Sequence, residues 1–164
     1  MASTQRNTKT RRNFLKTTAS VATAASIPVF FPQRKTLAQE SRSKNDRVAI
    51  GVIGAGGMAN GNISTAKQWL DVLAIADVDS EHAAASNQAM SGGKAKVYED
   101  YRDVLDRDDI DVIHIATPDH WHTKTLVEAM LAGKDVYCEK PLTLTIDEGK
   151  LIRKVQKDTG RIVQ

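Results

Sequence analysis

The feature that most constrains the fold is a glycine-rich turn that directly follows an apolar run, in the segment "VAIGVIGAGGMANGN". Its Gly-x-Gly-x-x-Ala spacing allows a tight turn at the first glycine, close approach of a pyrophosphate at the second, and close packing of helix on strand at the small third residue. The helix that follows directs its N-terminal N–H groups and positive dipole end at the phosphates. We therefore predict a strand–turn–helix unit that binds a nucleotide, with contacts at Gly54, Gly56, Gly57, Met58 and Ala59.

An acidic residue at the end of the second apolar run narrows the class of nucleotide. Asp77 lies roughly 20 residues beyond the turn, where the dinucleotide fingerprint places an acid against the adenosine ribose. A carboxylate there accepts hydrogen bonds from ribose hydroxyls and repels a 2′-phosphate, so we expect NAD as the cofactor, with NADP less favoured. The alternative is a glycine-rich turn in an ordinary α/β domain, with Asp77 serving only as a helix cap.

Short β-branched runs alternate with longer helical stretches from Arg47 onward, which indicates repeated βαβ units. The predicted fold class is α/β, a single doubly wound parallel sheet with helices on both faces. Strands are expected in "VAIGVIG", "DVLAIAD", "AKVY", "DVIHIAT" and "DVYCE", and a sixth begins in "RIVQ". The expected helix-end signals are N-caps at Asp79 and Asp119, a closing Gly133, and a capping box of Thr145 with Glu148.

The loops after the fourth and fifth strands should carry chemistry, because ligands of open parallel sheets lie beyond the carboxyl ends of the strands. They read "ATPDHWH" (116–122) and "CEKPL" (138–142). Together with "GVIGAGG", "IADVD" and "YEDYRDVLDRDDIDVIHIATPDHWH", these segments resemble the Gfo/Idh/MocA family of NAD(P)-dependent oxidoreductases. The resemblance covers residues 47–164 and implies a Rossmann domain.

The resemblance implies a role for each residue of the "EKP" motif. Lys140 would lie beside the nicotinamide and hydrogen-bond the reacting hydroxyl, where an ammonium stabilises developing alkoxide charge. Glu139 would position the nicotinamide ribose, and Pro141 would stiffen the loop. Without the resemblance, Lys140 is an ordinary solvated loop lysine. The resemblance also places three residues of the preceding loop against the cofactor, namely Thr117, Pro118 and His120.

Other chemistry-bearing residues are given ordinary structural roles. Asp119, His120 and His122 are metal-ligand types, but the two histidines point in different directions at a helix start and no third strong ligand is near, so no metal site is predicted. His114, inside an apolar strand, is expected to be a satisfied core residue. Cys138 is expected to be a small buried side chain and not a nucleophile, because no base is suitably placed.

The N-terminal segment has the order of an export signal. "TRRNFLK" (10–16) resembles a twin-arginine motif, a modest apolar region follows, and a small-residue site falls after Ala38. We predict a signal peptide over 1–38, a linker over 39–46, the nucleotide-binding domain over 47–164, and a periplasmic or exported protein. The twin-arginine route carries folded cargo, which suits a protein that must take up a cytosolic cofactor before export. The alternative is a disordered basic tail with an accidental arginine pair.

The charge distribution argues against a nucleic-acid partner. The chain carries a formal net charge of +3, but residues 1–38 hold seven basic and no acidic side chains. The remainder is left with a net charge of about −4, which does not suit a phosphate backbone. No run of 18 or more apolar residues predicts a stable membrane span, and the single cysteine cannot form an internal disulfide.

Members of the resembled family continue into a second α/β domain, which supplies the substrate pocket and usually an acid–base histidine. The 164 residues end before such a domain, so the chain is expected to be a fragment, a truncated product or part of a split protein. Two hypotheses stay open: the cofactor half of an enzyme that transfers a hydride to or from a sugar-like or polyol substrate, and a catalytically incompetent dinucleotide-binding module. A homo-oligomer is compatible with both.

Overall fold

The computed structural model describes residues 47–164. The predicted export signal and linker, 1–46, lie outside the described residues. The helices of the described part are α1 (Gly57–Ala66), α2 (Ser80–Ser91), α3 (Arg102–Leu105), α4 (His122–Leu131) and α5 (Ile146–Thr159), and a 3-10 turn spans Asp119–Trp121. The strands are β1 (Val48–Ile53), β2 (Leu70–Ala76), β3 (Lys96–Tyr98), β4 (Val112–Ile115) and β5 (Asp135–Cys138).

The five strands form one parallel sheet in the order β3-β2-β1-β4-β5. The chain winds outward from β1 in one direction and then from β4 in the other, so the strand order reverses between β1 and β4. This confirms the predicted doubly wound α/β fold, and the reversal point is where such sheets open a ligand crevice. The predicted sixth strand is present only as a parallel bridge of Val163 to Val136 beside β5.

Each face of the sheet has its own apolar core. One core packs side chains of α3, α4 and α5 against the sheet, with Leu126, Met130 and Ile152 among its buried members. The other packs α1 and α2 against the opposite face, around Ile63 and Met90. Burial on both faces explains why the strands read as nearly continuous apolar runs. No helix among residues 47–164 is long and apolar enough to cross a membrane.

Three of the predicted helix ends are confirmed. The Asp79 side chain accepts hydrogen bonds from the backbone N–H groups of Glu81 and His82 at the start of α2. Thr145 and Glu148 form the reciprocal capping box of α5. After α4, Gly133 has a positive φ of 79°, and the N–H groups of residues 133 and 134 donate to carbonyls 130 and 129, which is a Schellman ending.

The predicted N-cap at Asp119 is wrong. Pro118 holds an extended backbone, a 3-10 turn over Asp119–Trp121 follows, and α4 begins only at His122 without a side-chain cap. The N–H of Trp121 donates to the Pro118 carbonyl at 3.0 Å, so the tighter turn uses a donor that an N-cap would otherwise serve. The four-residue helix α3 was not among the predicted elements.

Candidate functional site

The glycine-rich turn packs directly against the loop that leaves β4. Gly54 has a φ of +84°, and a Cβ built on it would lie 2.7 Å from the backbone nitrogen of Thr117 and 2.8 Å from the carbonyl of Ala116. Its own N–H donates to the Ala76 carbonyl at 2.9 Å. Only glycine satisfies both the positive φ and the close backbone approach, so this residue brings the ends of β1, β2 and β4 together.

The N-terminus of α1 has free space around it and no capping side chain, which are the conditions for binding an anion there. A Cβ at Gly56 or Gly57 would meet nothing within 4 Å. Gly56 is the N-cap, no side chain caps the helix, and its first turn carries no acidic residue. Met58 is exposed on this turn, whereas Ala59 is fully buried against the sheet. A helix N-terminus without a side-chain cap, with open space beside Gly56 and Gly57, fits a pyrophosphate.

Asp77 lies at the end of β2 and turns its carboxylate toward the glycine turn. Its Oδ2 accepts from the N–H of Ala55 at 2.6 Å, and its Oδ1 accepts from the N–H of Asp79 at 2.9 Å. A carboxylate offers about four lone-pair positions, so both oxygens keep capacity for ribose hydroxyls. The predicted alternative role as a helix cap falls instead to Asp79.

The loop after β4 separates the residues predicted there. Thr117 has a buried hydroxyl oxygen that finds no partner within the described part of the chain, as expected where a ligand would supply one. Pro118 is exposed beside it. His120 is also exposed, and its ring contacts found within residues 47–164 are with its neighbours Asp119, at 3.9 Å between Nδ1 and Oδ1, and Trp121.

His122, the first residue of α4, has a structural role that the sequence did not predict. It is only 1% exposed, and its ring nitrogens lie 2.7 Å from the Pro141 carbonyl oxygen and 2.9 Å from the Thr117 carbonyl oxygen. The ring therefore joins the loop after β4 to the "EKP" loop. A signal was available, because the buried positions 122, 125, 126, 129 and 130 of α4 follow helical periodicity from its first residue.

Glu139 and Lys140 leave the end of β5 on the same edge of the sheet. The N–H of Glu139 donates to the Ile115 carbonyl at 2.9 Å, and its Oε2 accepts from the N–H of Lys140 at 3.3 Å. Its Oε1 accepts from Asn62 Nδ2 at 2.5 Å, and this hydrogen bond is the main cause that lowers the pKa of Glu139. The Lys140 side chain is exposed, and the Lys140–Pro141 peptide bond is cis.

His114 and Cys138 are buried, as expected, but His114 is not fully satisfied. Its Nε2 lies 3.2 Å from Asn62 Nδ2, while its Nδ1 has no partner in the described region. Burial lowers the pKa of His114 and raises the pKa of the Cys138 thiol to about 12, which keeps that thiol protonated and unreactive. Within residues 47–164 no group of three or more His, Cys, Asp or Glu side chains could hold a metal ion.

The edge of the sheet thus combines a helix N-terminus without a side-chain cap, the Asp77 carboxylate, and a Thr117 hydroxyl that has no partner within residues 47–164. Three features of these groups fit a dinucleotide. There is open space beside Gly56 and Gly57, Asp77 can accept further hydrogen bonds, and the buried hydroxyl of Thr117 has no partner in the described part of the chain. The fold and site define a dinucleotide-binding protein of the Rossmann type.

The chain belongs to the Gfo/Idh/MocA oxidoreductase family, described as an oxidoreductase family with an NAD-binding Rossmann fold, whose model matches residues 48–164. This part of the chain is the family's NAD-binding domain. The family resemblance seen in the sequence is confirmed.

Three comparisons illustrate the relationship. The chain is 36% identical over 115 residues to an inositol 2-dehydrogenase of Klebsiella pneumoniae, covering 68% of this chain and 34% of that protein. It is 31% identical over 158 residues to a "glycosyl hydrolase family 109 protein 2" of Shewanella, covering 84% and 35%. The structure of myo-inositol dehydrogenase from Lactobacillus casei, in complex with NAD(H) and myo-inositol, superposes with a TM-score of 0.68 at 29% identity, covering 73% and 36%. The chain therefore spans about a third of the length of these relatives.

Proposed function

We propose that this chain supplies the cofactor-binding half of a dehydrogenase that transfers a hydride between NAD and a hydroxyl-bearing carbon of a polyol or sugar-like substrate. The observation that carries the proposal is the meeting of the glycine turn, Asp77 and the Glu139–Lys140 pair at one edge of the sheet, around the β1/β4 reversal point. Bound NAD supplies the hydride acceptor or donor.

Each of these residues would perform a separate task. The open N-terminus of α1 binds the pyrophosphate, and Asp77 accepts the hydroxyls of the adenosine ribose while disfavouring a 2′-phosphate. Glu139, a carboxylate whose pKa is held low by Asn62, serves as an acceptor for the nicotinamide ribose. Lys140 would donate a hydrogen bond to the oxygen of the reacting hydroxyl and stabilise the negative charge that develops there. The hydroxyl proton would pass to the acid–base histidine that the family resemblance implies in the second domain, while the hydride passes to NAD.

The comparisons suggest two substrate classes to test. The inositol dehydrogenase relatives favour a cyclic polyol. The Shewanella relative named as a glycosyl hydrolase matches 84% of the chain, against 68% for the inositol 2-dehydrogenase of Klebsiella pneumoniae, so glycosides are the second class. The residues that select a substrate are expected in the remaining two thirds of a protein of the relatives' length, which this chain does not span.

The export signal predicted over 1–38 is part of the proposal. Its support is the ordered sequence of an arginine pair, a modest apolar region and a small-residue site. A protein that acquires NAD in the cytosol and crosses the membrane folded would use this route.

The test pairs cofactor binding with turnover. We expect calorimetry to detect NAD binding to the folded chain, and Lys140→Ala to leave that affinity nearly unchanged. In a protein of the relatives' full length that contains residues 47–164, Lys140→Ala should abolish NADH formation from polyols, whereas Lys140→Arg, which keeps the charge, should retain a trace. Equal turnover by Lys140→Ala and the unaltered protein would remove Lys140 from its role. NAD binding without turnover on any polyol or glycoside would favour the binding-module alternative.

A further inference from the structure

A polar cluster behind the "EKP" loop joins three elements that are distant in the sequence. Asn62 lies in the middle of α1, His114 on β4, and Glu139 just after β5. The Nδ2 atom of Asn62 lies 2.5 Å from Glu139 Oε1 and 3.2 Å from His114 Nε2. The same amide nitrogen therefore faces both the carboxylate and the imidazole.

The chemistry of the carboxylate determines how the amide is oriented. An ionised Glu139 only accepts hydrogen bonds, so the NH₂ group of Asn62 must face it; the flipped amide would set oxygen against oxygen. The low pKa of Glu139, caused first by this hydrogen bond, agrees with an ionised partner. Asn62 thus holds Oε1 in place, while the N–H of Lys140 holds Oε2.

The orientation of Asn62 in turn determines the tautomer of His114. The same NH₂ group has a second hydrogen, and donation of it to His114 Nε2, 3.2 Å away, requires a lone pair on that nitrogen and the proton on Nδ1. Nδ1 has no partner among the described residues, so the contact with Asn62 is the interaction that selects this tautomer. A proton on Nε2 would set two donors against each other. The imidazole is 3% exposed and stacks on Tyr137, with ring centroids 5.3 Å apart and planes 9° apart, so it is held at the position that serves Asn62.

We propose that Asn62 is a positioning residue for Glu139, and that His114, as the Nδ1–H tautomer, holds the Asn62 amide in the orientation that this requires. The proposal rests on the proposed function for one step, the contact of Glu139 with the nicotinamide end of NAD. In this proposal Asn62 and His114 act through Glu139 and do not themselves contact the substrate or the cofactor.

Spectroscopy tests the proposal without any cofactor. In ¹⁵N-labelled chain, long-range ¹H–¹⁵N correlations of His114 should show the Nδ1–H tautomer at neutral pH. In ¹³C-labelled chain, the Glu139 carboxyl should titrate at higher pH in Asn62→Leu, which removes the donor, and in Asn62→Asp, which keeps the shape of the side chain and adds a like charge. An Nε2–H tautomer, or an unchanged Glu139 titration in both variants, would overturn the proposal.

Cofactor affinity supplies the functional readout. We expect Asn62→Leu to weaken NAD binding about tenfold, the effect of losing a charge-assisted hydrogen bond. The Asn62→Leu/Glu139→Gln double variant should bind no more weakly than Glu139→Gln alone, because both changes remove the same arrangement. Ser64→Ala is the matched control on α1, since Ser64 is exposed and its hydroxyl donates to the Gly61 carbonyl of the same helix.

The outcomes separate this proposal from the proposed function. Additive losses in the double variant would mean that Asn62 acts independently of Glu139, and they would reject the proposal. If the unaltered, folded chain failed to bind NAD, the proposed function would fail, and the His114 tautomer and the Glu139 titration would still decide the role of Asn62. Thermal unfolding of every variant checks that the fold is retained. If Asn62→Leu does not fold, Asn62→Asp replaces it in the binding and titration measurements.

Discussion

At the scale of single residues, Asp77 has a structural role that its position in the dinucleotide-binding motif did not reveal. Its carboxylate already accepts hydrogen bonds from the N–H groups of Ala55 and Asp79, so it stabilises the shape of the glycine turn in addition to the ribose contact that we propose for it. The same residue therefore links the strand β2 to the phosphate-binding turn. A cofactor bound there would be held by a carboxylate whose position is fixed before binding.

We expect Asp77→Ala to weaken NAD binding by about 1–3 kcal/mol, because charge-assisted hydrogen bonds are lost. Calorimetry with NAD measures the change directly. Asp79→Ala is the matched control, since it removes the neighbouring N-cap of α2 and should cost about 1 kcal/mol of folding free energy with little change in NAD affinity. Equal NAD affinity of Asp77→Ala and the unaltered chain would contradict the role assigned to Asp77.

At the scale of elements, the strand–turn–helix unit β1–α1 organises the site. Gly54 lets the chain turn against the backbone of Thr117 and Ala116, and the following residues leave the helix N-terminus open. Because the turn contacts the loop after β4, a change in the backbone of the turn would displace both the residues proposed to bind the pyrophosphate and Thr117.

Two alanine substitutions within this unit should have opposite effects. Gly54→Ala should destabilise the fold by about 1–3 kcal/mol or more, since it combines a positive φ with backbone overlap. Gly61→Ala, inside α1 where an added Cβ meets nothing within 4 Å, should stabilise it by up to about 1 kcal/mol. Urea unfolding followed by tryptophan fluorescence measures both. Coincident unfolding midpoints for the two variants would show that the turn does not require glycine at position 54.

At the scale of the whole molecule, charge is divided unequally along the chain. Residues 1–38 hold seven of the 23 basic side chains and none of the 20 acidic ones, so removal of this segment would turn a basic protein into a mildly acidic one. Such a charge distribution is typical of a basic signal peptide that precedes a domain of different net charge.

The proposed export depends on the arginine pair and not on basic charge in general. We expect the Arg11→Lys, Arg12→Lys double variant to be retained in the cytoplasm, because the charge is kept while the twin-arginine motif is lost. The matched control is Arg6→Lys with Arg34→Lys, two arginines outside the motif, which should be exported normally. Cell fractionation with immunodetection measures both, and export of the Arg11, Arg12 variant at the normal level would contradict the assignment.

Local patterns in the sequence were enough to predict the sheet, its five strands, and three of the four helix ends, because alternation, capping and glycine spacing act over a few neighbouring residues. The same kind of pattern placed the glycine turn, Asp77 and the "EKP" loop at strand ends, and parallel pairing then requires them to share one edge. The cap at Asp119 was predicted wrongly, because the chain forms a 3-10 turn over Asp119–Trp121 before the helix begins at His122.

The sequence by itself determined the fold class and the family, and it predicted which residues would meet a dinucleotide. Only the tertiary structure decided that His122 joins two loops, that Asp77 stabilises the glycine turn, and that Asn62 and His114 lie behind Glu139. The physical reason is that these contacts join residues on different elements, up to 77 positions apart for Asn62 and Glu139. A hydrogen bond of this kind depends on the relative placement of helix and strands, which no pattern of neighbouring residues encodes.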